Sequence, residues 1–461
     1  MDLMDKVLSW AKRRGFVYPG SEIYGGLANS WDFGPLGVEL KNNIRDEWWR
    51  MFVRQRQDML GIDAAIIMNN KVWQASGHVE GFNDPLVECK KCHERFRVEG
   101  EISSKNLPEE ITEHIENKHK KDVGKSVFEF AKENIADKKD FNMMFKTHLG
   151  PVADEDNTVY LRPETAQAMF VNFKNILDTN RVRLPFGIAQ IGKSFRNEIT
   201  PGNFIFRTRE FEQMEIEYFC RETEWKDHFK YWLAEMHKWL EHCGVDKKHI
   251  QDYETPKEEL AHYSKRTIDI EYDFPFGKKE LYGLAYRTDY DLRQHMENSG
   301  EDLSYTDPQA NEKLIPHVIE PSFGLERTLL AVLLESYKEE EVEGNTRIVA
   351  KFPRWMAPIK AAVFPLLGND EKLVEKAKKI SEELGAHYLV RYDDGGAIGR
   401  RYRRHDEIGT PLCITIDHDT LSDDTVTVRD RDSMGQIRIG AGEVKEALDK
   451  YYQGADFPSL S

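Results

Sequence analysis

Residues 188–198, IAQIGKSFRNE, and residues 211–218, FEQMEIEY, alternate between polar and apolar side chains. Successive side chains of a strand point to opposite faces, so each run predicts a strand with one polar face. Gln190 and Arg196 share that face in the first run, and Glu215 lies on it in the second. The sequence therefore predicts a pair of antiparallel strands whose polar face has a function.

The connection between the two runs, TPGNF at residues 200–204, contains a Pro-Gly turn signal and is long enough for a mobile loop that closes over a nucleotide. The alternative is an ordinary amphipathic hairpin whose polar face is solvated. A third segment argues against this alternative. HVIEPSFG at residues 317–324 alternates as a strand, Pro321 and Gly324 are expected to break it, and leucines at Leu325–Leu333 then repeat at helical spacing.

Three arginines lie in or next to these segments. Arg196 ends the first run, Arg207 precedes the second, and Arg327 falls in the first turn of the predicted helix. A guanidinium beside an α-phosphate stabilises charge that grows there during attack, and guanidinium groups near the γ-phosphate hold the leaving pyrophosphate. Arg327 can also lie flat over an adenine that stacks on Phe211. The set predicts a site for bent ATP and the chemistry of adenylation.

One motif match is rejected. Residues 187–194, GIAQIGKS, satisfy the phosphate-loop pattern G-x-x-x-x-G-K-[ST]. A phosphate loop leaves a strand and enters a helix, so that backbone amides surround the phosphates. Here the residues alternate as a strand and run on to Pro201, which leaves no room for a helix. We therefore interpret the match as accidental.

At this point the chain resembles a known family, the class II aminoacyl-tRNA synthetases, and among them the homodimeric glycyl-tRNA synthetases. The resemblance runs over nearly the whole chain, and five segments carry it: LRPETAQ at 161–167, GKSFRNEI at 192–199, RTREF at 207–211, EPSFG at 320–324 and VTVRDRD at 426–432. It implies an α+β fold, with an antiparallel sheet flanked by helices followed by an α/β anticodon-binding domain. The implied domains are 1–345, with a charged insertion at about 86–150, and 346–461.

The resemblance also implies residue roles and partners. The substrates are ATP, glycine and tRNA(Gly), with Mg²⁺ as a cofactor. Arg196 and Arg327 are the expected catalytic residues, since Arg196 stabilises the charge at the α-phosphate while pyrophosphate leaves toward Arg207 and Arg327. The implied ATP contacts are Arg196, Asn197, Glu198, Phe206, Arg207, Phe211, Glu280, Leu281, Gly324 and Arg327. The implied glycine contacts are Arg97, Glu164, Phe211, Glu215, Glu320 and Ser322.

The implied glycine contacts are physically sensible. Glycine offers only an ammonium and a carboxylate, so a selective pocket needs carboxylates for the cation and walls too tight for a side chain. An extra methyl group then clashes, and no editing domain is required. The alternative for Glu164 and Glu215 is a pair of ordinary surface glutamates. Because Glu215 shares a strand face with Phe211, the sequence favours the pocket.

The insertion contains a lone Cys89-x-x-Cys92. Some relatives carry a second C-x-x-C here that completes a zinc site, and this chain has none. His114 and His119 can supply the missing ligands, because two Cys and two His hold zinc tetrahedrally. The sequence nevertheless favours a vestigial half site, and we expect no metal among the site residues.

The rest of the chain supports a multidomain protein. Its 461 residues exceed what one core usually serves, and five scattered cysteines do not form a disulfide framework. With no secretory signal or long apolar run, the chain is expected to be soluble and cytoplasmic. The net charge of −16, from 65 basic and 81 acidic residues, counts against tRNA binding at the level of the whole chain. A basic cluster at 400–405 is a local candidate for phosphate contacts, and a solvated basic face is its alternative.

Two regions outside the site bear on assembly. A helix at about 36–51 is predicted from Leu36, Leu40, Ile44, Trp48 and Met51, followed by an apolar strand at Ala64–Met68. The resemblance makes this pair the dimer interface, although the proline that usually follows the strand is replaced by asparagine at about Asn69–Asn70. Lys338–Gly344 is predicted as a charged linker, and beyond it a strand at 361–366, a helix at 371–384 and a strand at 388–392 indicate an α/β domain.

Two rival functions remain open. A catalytically silent paralogue that binds tRNA or an amino acid is marked by a lost motif arginine, and all the motif arginines are present here. An enzyme for threonine, proline or histidine would need a zinc ligand set or a roomier pocket. Glu164 and Ser322 fit glycine better.

Overall fold

A computed structural model of the protein describes residues 2–98, 107–121, 126–152, 154, 157–309 and 311–460. The N-terminal part packs helices beside a short hairpin and one sheet strand. Its elements are α1 (Leu3–Arg14), β1 (Val17–Pro19), β2 (Trp31–Phe33), α2 (Pro35–Trp49), β3 (Met59–Gly61), α3 (Asn70–Ala75) and α4 (His78–Gly81). Short 3₁₀ turns lie at Glu22–Tyr24, Glu222–Glu224, Lys247–His249, Ala441–Glu443 and Phe457–Leu460.

The predicted N-terminal helix is confirmed, and the prediction of a strand at Ala64–Met68 is wrong. Helix α2 buries Leu36, Leu40, Ile44 and Trp48, and a π-helical turn at Arg50–Arg54 extends it. Ala64–Met68 is not a strand: it contributes one isolated bridge, from Ile67 to Leu161. Its side chains alternate between exposed and half-buried, the chain bends at Ile66, and the segment has only that one pairing partner within the described chain. The nearby sheet strand is β3, which pairs parallel with a later strand.

The insertion folds around a small apolar core of its own. Its elements are β4 (Asn83–Glu88), β5 (Arg95–Arg97), α5 (Glu109–Lys118), α6 (Val127–Asn134) and β6 (Lys139–Asn142). The three strands form a sheet in the order β5-β4-β6, and both helices pack on it through Ile111, Ile115 and Phe130.

The central part is built on a seven-stranded sheet. Its elements are β7 (Lys146–His148), β8 (Thr158–Tyr160), α7 (Ala166–Val171), α8 (Phe173–Asn180), β9 (Phe186–Phe195), β10 (Glu210–Cys220), α9 (Trp225–His242), β11 (Ile250–Glu254), β12 (Arg266–Phe274), β13 (Gly277–Thr288), α10 (Tyr290–Ser299), β14 (Tyr305–Asp307), β15 (Glu312–Leu314), β16 (His317–Gly324) and α11 (Leu325–Ser336). The sheet order is β11-β12-β13-β16-β10-β9-β3, antiparallel except where β3 meets β9. The face that carries Met214 and Ile216 packs on α2, α9 and α11 and leaves the polar face for the site.

The sheet tests two predictions, one about the phosphate-loop match and one about Pro321. Gly187 to Ser194 lies wholly within β9, so the phosphate-loop match is accidental, as predicted. Pro321, however, does not break β16, which runs through it to Gly324. Because proline has no N–H to donate, the pairing with β10 is interrupted instead: it holds from Gln213 to Glu215 and resumes at Tyr218.

The C-terminal part is a second α/β unit. Its elements are β17 (Tyr337–Val342), β18 (Asn345–Ala350), β19 (Ala361–Pro365), α12 (Glu371–Gly385), β20 (Val390–Tyr392), α13 (Ile398–Glu407), β21 (Leu412–Ile416), α14 (Thr420–Asp423), β22 (Thr425–Asp430), β23 (Gln436–Gly440) and α15 (Val444–Tyr452). The sheet order β20-β19-β21-β22-β23 confirms the predicted alternation of strands and helices. Lys338–Gly344 is not a linker, because β17 and β18 pair there as a hairpin that turns at Glu343 and Gly344, both with positive φ.

The basic cluster near the C-terminus is partly buried. Arg401 is buried and donates to the carbonyl oxygen of Gly396, and His405 is buried as well. Arg404 pairs with Asp393 at 2.6 Å. Arg400 and Arg403 are exposed, so these two residues remain the candidates for phosphate contacts. Among the described helices, none is long and apolar enough to cross a membrane.

Candidate functional site

Register in the central sheet brings the predicted polar positions onto one face. Glu215 of β10 lies opposite Gln190 of β9 on one side and Ser322 of β16 on the other. Gln213, two residues earlier, lies opposite Gly324. Directly opposed residues of antiparallel strands point to the same side, so three separate sequence segments share one floor. The convergence predicted from period-two alternation is confirmed as geometry.

A cavity of about 240 Å³ opens above this floor. Nine of the ten residues predicted to contact ATP line it; Asn197 instead faces an adjoining groove with Trp31 and Phe33. The cavity is lined by Arg196, Glu198, Ile205, Phe206, Arg207, Thr208, Phe211, Gln213, Glu280, Leu281, Ser322, Gly324, Glu326 and Arg327. Three arginines and two accessible aromatic rings therefore meet in one concave space.

Each arginine of the cavity is oriented by a neighbour. Arg327 donates from Nη1 to the Glu280 carbonyl oxygen at 2.8 Å, and its guanidinium lies 4.5 Å from the centre of the Phe206 ring. Arg196 donates from Nε to the Pro163 carbonyl oxygen at 3.1 Å. These contacts hold the long side chains over the cavity before any phosphate is bound, which lowers the entropy lost on binding.

The loop between β9 and β10 is anchored at its base. Phe204 and Ile205 are buried, and the Phe204 ring meets Trp31 edge-on at 4.8 Å. Asn29 donates to the Arg207 carbonyl oxygen at 2.5 Å. The loop that carries Arg207 is thus fixed to the N-terminal hairpin through buried aromatic and hydrogen-bonded contacts.

Arg207 itself is oriented within the cavity. Its Nε lies 3.2 Å from Glu198 Oε2. Glu198 is buried, so this carboxylate offers a fixed anionic partner on the β9 side of the loop.

A cluster of buried carboxylates lies directly beneath the cavity. Ser322 joins the two, because it lines the cavity and donates from Oγ to Glu215 Oε1 at 2.9 Å. Thr165 donates to the other Glu215 oxygen. Carboxylate oxygens of Glu215, Glu217 and Glu320 all lie within 4.8 Å of one another. Glu164 and Glu215 are both buried, so they are not ordinary surface glutamates.

Few positive groups balance this cluster. Arg287 donates to Glu320 Oε1 at 2.8 Å and to both oxygens of Asp291, and its Nη2 lies 4.0 Å from Glu164 Oε1. His78 lies 3.4 Å from the other oxygen of Glu164. Negative charge in the cluster therefore exceeds positive charge when all the carboxyls are ionised.

This excess shows in the pKa values. Burial raises the pKa of Glu320 to about 8, against the opposing effect of Arg287. Burial and the nearby Glu320 raise the pKa of Glu217 well above its usual value, and neither oxygen of Glu217 has a hydrogen-bond partner in the structure. Burial alone would raise the pKa of Glu164 too, yet His78 and Arg287 hold it well below its usual range. The cluster is thus short of positive charge.

The remaining predicted glycine contact is Arg97. The side chain of Arg97 lies outside the described residues. Its backbone ends β5, opposite Leu86 of β4.

Comparison with known proteins gives the family of this arrangement. The model of the tRNA synthetase class II core domain (G, H, P, S and T) matches residues 132–337, and that of the anticodon binding domain matches residues 360–451. The chain is 53% identical to the glycine–tRNA ligase of Caldanaerobacter subterraneus subsp. tengcongensis, over 97% of this chain and 98% of that one. It is 52% identical to that of Geobacillus thermodenitrificans, over 97% of each.

The chain belongs to the glycine–tRNA ligase family. A third member, from Acetivibrio thermocellus, is 53% identical over 98% of both chains. Membership confirms the α+β fold of a class II synthetase core with an anticodon-binding domain.

Several residues of this family member escaped the sequence analysis. Arg287 lies at the end of β13, and Asp291 lies at the start of α10. His78, in α4, is far along the sequence from the five segments that carry the resemblance. Their side chains are brought to the cluster only by tertiary packing, so no local pattern could reveal them. Gln213 carried a signal, since it shares the strand face of Phe211 and Glu215.

Proposed function

We propose that this protein joins glycine to tRNA(Gly) through a glycyl-adenylate, with release of AMP and pyrophosphate. The observation that carries the proposal is the contact between the two halves of the site: Ser322 lines the arginine cavity and also bonds Glu215 of the carboxylate cluster. A nucleotide in the cavity and an ammonium in the cluster would therefore lie side by side. The names of the similar proteins point to the same reaction.

The cavity supplies what adenylation requires. Phe211 offers a face for the adenine, and Arg327 either covers the base or meets the outer phosphates. Arg196 reaches the α-phosphate and stabilises the charge that develops as the glycine carboxylate attacks in line, and pyrophosphate leaves toward Arg207 and Arg327. Mg²⁺ adds positive charge beside the phosphates when bound, and Glu198 and Glu280 are oxygen donors of the kind that it takes.

The carboxylate cluster supplies recognition of the amino acid. It is short of positive charge, and the glycine ammonium supplies one positive charge. Glu164, Glu215 and Glu320 are the acceptors, and Ser322 fixes the orientation of Glu215. Arg97 of the insertion is proposed as a further contact. Selection against alanine rests on the packed walls around the cluster.

We further propose two features of the working protein. Residues 346–461 bind the tRNA anticodon while its terminal ribose hydroxyl attacks the adenylate, a reaction that serves translation in the cytoplasm. The protein acts as a homodimer through α2 and the Ala64–Met68 segment. Asn70 occupies the first position of α3, where proline is favoured, and Asn69 caps that helix. Helix α3 thus begins with asparagine at about the position where the family usually has proline.

The test is amino-acid-dependent exchange between ATP and pyrophosphate, measured with each proteinogenic amino acid. Exchange is expected with glycine, and Arg196→Ala should lower its rate at least about 100-fold, because charge at the α-phosphate loses its partner. Arg221→Ala is the matched control, since this arginine flanks the far end of β10 and pairs with Asp307 and Glu312. Exchange with alanine in place of glycine, or a normal rate in folded Arg196→Ala, would overturn the proposal. Absence of exchange with every amino acid would favour a silent paralogue.

A further inference from the structure

Four potential metal ligands meet in the insertion, away from the nucleotide cavity. Sulfur and nitrogen atoms of Cys89, Cys92, His114 and His119 all lie within 4.8 Å of one another. Cys92 Sγ lies 3.4 Å from His114 Nε2, and Cys89 Sγ lies 3.6 Å from His119 Nε2. Zinc bonds of about 2.0–2.3 Å place tetrahedral ligands about 3.3–3.8 Å apart, so both separations already suit a common metal.

Backbone structure presents the two sulfurs from one turn. Cys89 follows β4, its N–H donates to the Glu94 carbonyl oxygen, and the His93 N–H donates to the Cys89 carbonyl oxygen, each at 2.8 Å. His93 takes a left-handed conformation with φ of 61°. This tight turn between β4 and β5 brings Cys92 back beside Cys89.

The two histidines come from one helix end. His114 lies in α5, and His119 is its C-terminal cap, whose N–H donates to Ile115 at 2.9 Å. Both rings are buried, and they lie 5.0 Å apart between ring centres. Buried imidazoles need polar partners, and here each ring directs a nitrogen at a cysteine sulfur.

An outer carboxylate orients one of these rings. Glu94 Oε2 lies 2.9 Å from His114 Nδ1, on the side of the ring away from the sulfurs. Carboxylates in this position set the tautomer of zinc-binding histidines and leave Nε2 free to bind the metal. Lys118 also pairs with Glu94, which holds the carboxylate in place.

We propose that Cys89, Cys92, His114 and His119 bind one Zn²⁺ that ties the β4–β5 turn to the end of α5. Two thiolates and two imidazoles favour zinc over magnesium or calcium. The four-residue set is closed, so the metal is structural rather than catalytic. The alternative for Cys89-x-x-Cys92 is a redox pair, but all five cysteines are free and both sulfurs face imidazole nitrogens. A small core such as that of the insertion gains most from such a cross-link.

The site also bears on the rest of the molecule. Strand β6 of the same small sheet carries Asn142, which donates to the carbonyl oxygens of His78 and Val79 at 3.1 and 3.0 Å. His78 in turn contacts Glu164. Zinc therefore steadies a unit that is joined to the carboxylate cluster, while its own presence is independent of whether the ligase reaction occurs.

Metal content of the full-length chain tests the proposal. After incubation with Zn²⁺ and removal of free metal, about one zinc per chain is expected by mass spectrometry. Replacement by Co²⁺ should give the visible bands of a tetrahedral site together with thiolate-to-cobalt charge transfer. Cys92→Ser and His114→Asn should lose the metal, and His93→Asn is the matched control that should keep it, because His93 is exposed and asparagine tolerates its left-handed backbone.

Two results would overturn the inference. One is a wild-type chain that retains no more zinc than Cys92→Ser. The other is an octahedral Co²⁺ spectrum without sulfur charge transfer, which needs only the wild-type chain and so does not depend on how the variants fold. Thiol titration of the metal-free chain that shows a Cys89–Cys92 disulfide alongside absent zinc binding would identify a redox pair instead.

Discussion

Glu320 illustrates how a single residue can couple glycine binding to pH. Its carboxyl is buried, it shares Arg287 with Asp291, and Glu215 and Glu164 lie nearby, so it is protonated more readily than usual. With a pKa of about 8, Glu320 holds a proton at neutral pH. An ammonium ion favours the ionised form, and glycine binding must then release that proton.

The Michaelis constant for glycine should therefore fall as pH rises toward about 8. Below the pKa of Glu320, each bound glycine displaces one proton, so the constant should change by at most about tenfold per pH unit. Exchange kinetics at a series of pH values measure this slope. Glu320→Gln removes the titrating group and should flatten the profile, although binding is weaker throughout. An equally steep profile in the variant would assign the proton to another member of the cluster.

Strand β9 shows how one small residue shapes an element. A Cβ at Gly192 would lie 2.2 Å from Arg162 Nη2. That guanidinium cannot move easily, because Arg162 donates from Nε to the Lys193 carbonyl oxygen at 2.7 Å and from Nη1 to that of Ala64 at 2.9 Å. Gly192 is thus required by a close approach inside the sheet, with an ordinary strand backbone.

Gly192→Ala should lower the free energy of unfolding by about 1–3 kcal/mol, the usual cost of overpacking. Urea denaturation measures it. Gly283→Ala in β13 is the matched control in the same sheet, since its nearest neighbours would lie at 3.8 Å, which is ordinary contact. Equal effects in the two variants would show that Arg162 adapts without cost.

Elements with a local pattern could be predicted, and those that depend on distant partners could not. The faces of β9 and β10 follow from period-two alternation, so Phe211 and Glu215 were placed correctly on one floor. Lys338–Gly344 was misread because its charges suggested a linker, whereas cross-strand pairs such as Glu340 with Arg347 stabilise a hairpin. The meeting of Arg287 with Glu320 joins separate elements, and only the folded sheet reveals it.

At the scale of the whole molecule, buried arginines hold the C-terminal unit together, and α1 is hydrogen-bonded to it. Asp406 of α13 is fully buried and accepts hydrogen bonds from Arg347 of the β17–β18 hairpin and from Arg429 of β22. Trp10 of α1 donates to the Glu407 carbonyl oxygen at 2.9 Å. Motif residues such as Arg429 thus stabilise the C-terminal unit.

Assembly is the remaining question at this scale, and Ile67 offers a direct test. It lies in the Ala64–Met68 segment with 46% of its surface exposed. An exposed apolar side chain is a surface against which a second copy can pack. Ile67→Asp places a charge there and should convert a dimer to a monomer in light scattering. Leu367→Asp changes an equally exposed apolar residue, at 45%, in the C-terminal unit and should stay dimeric. A wild-type protein with the mass of one chain would refute the homodimer, and a dimeric Ile67→Asp would move the interface elsewhere.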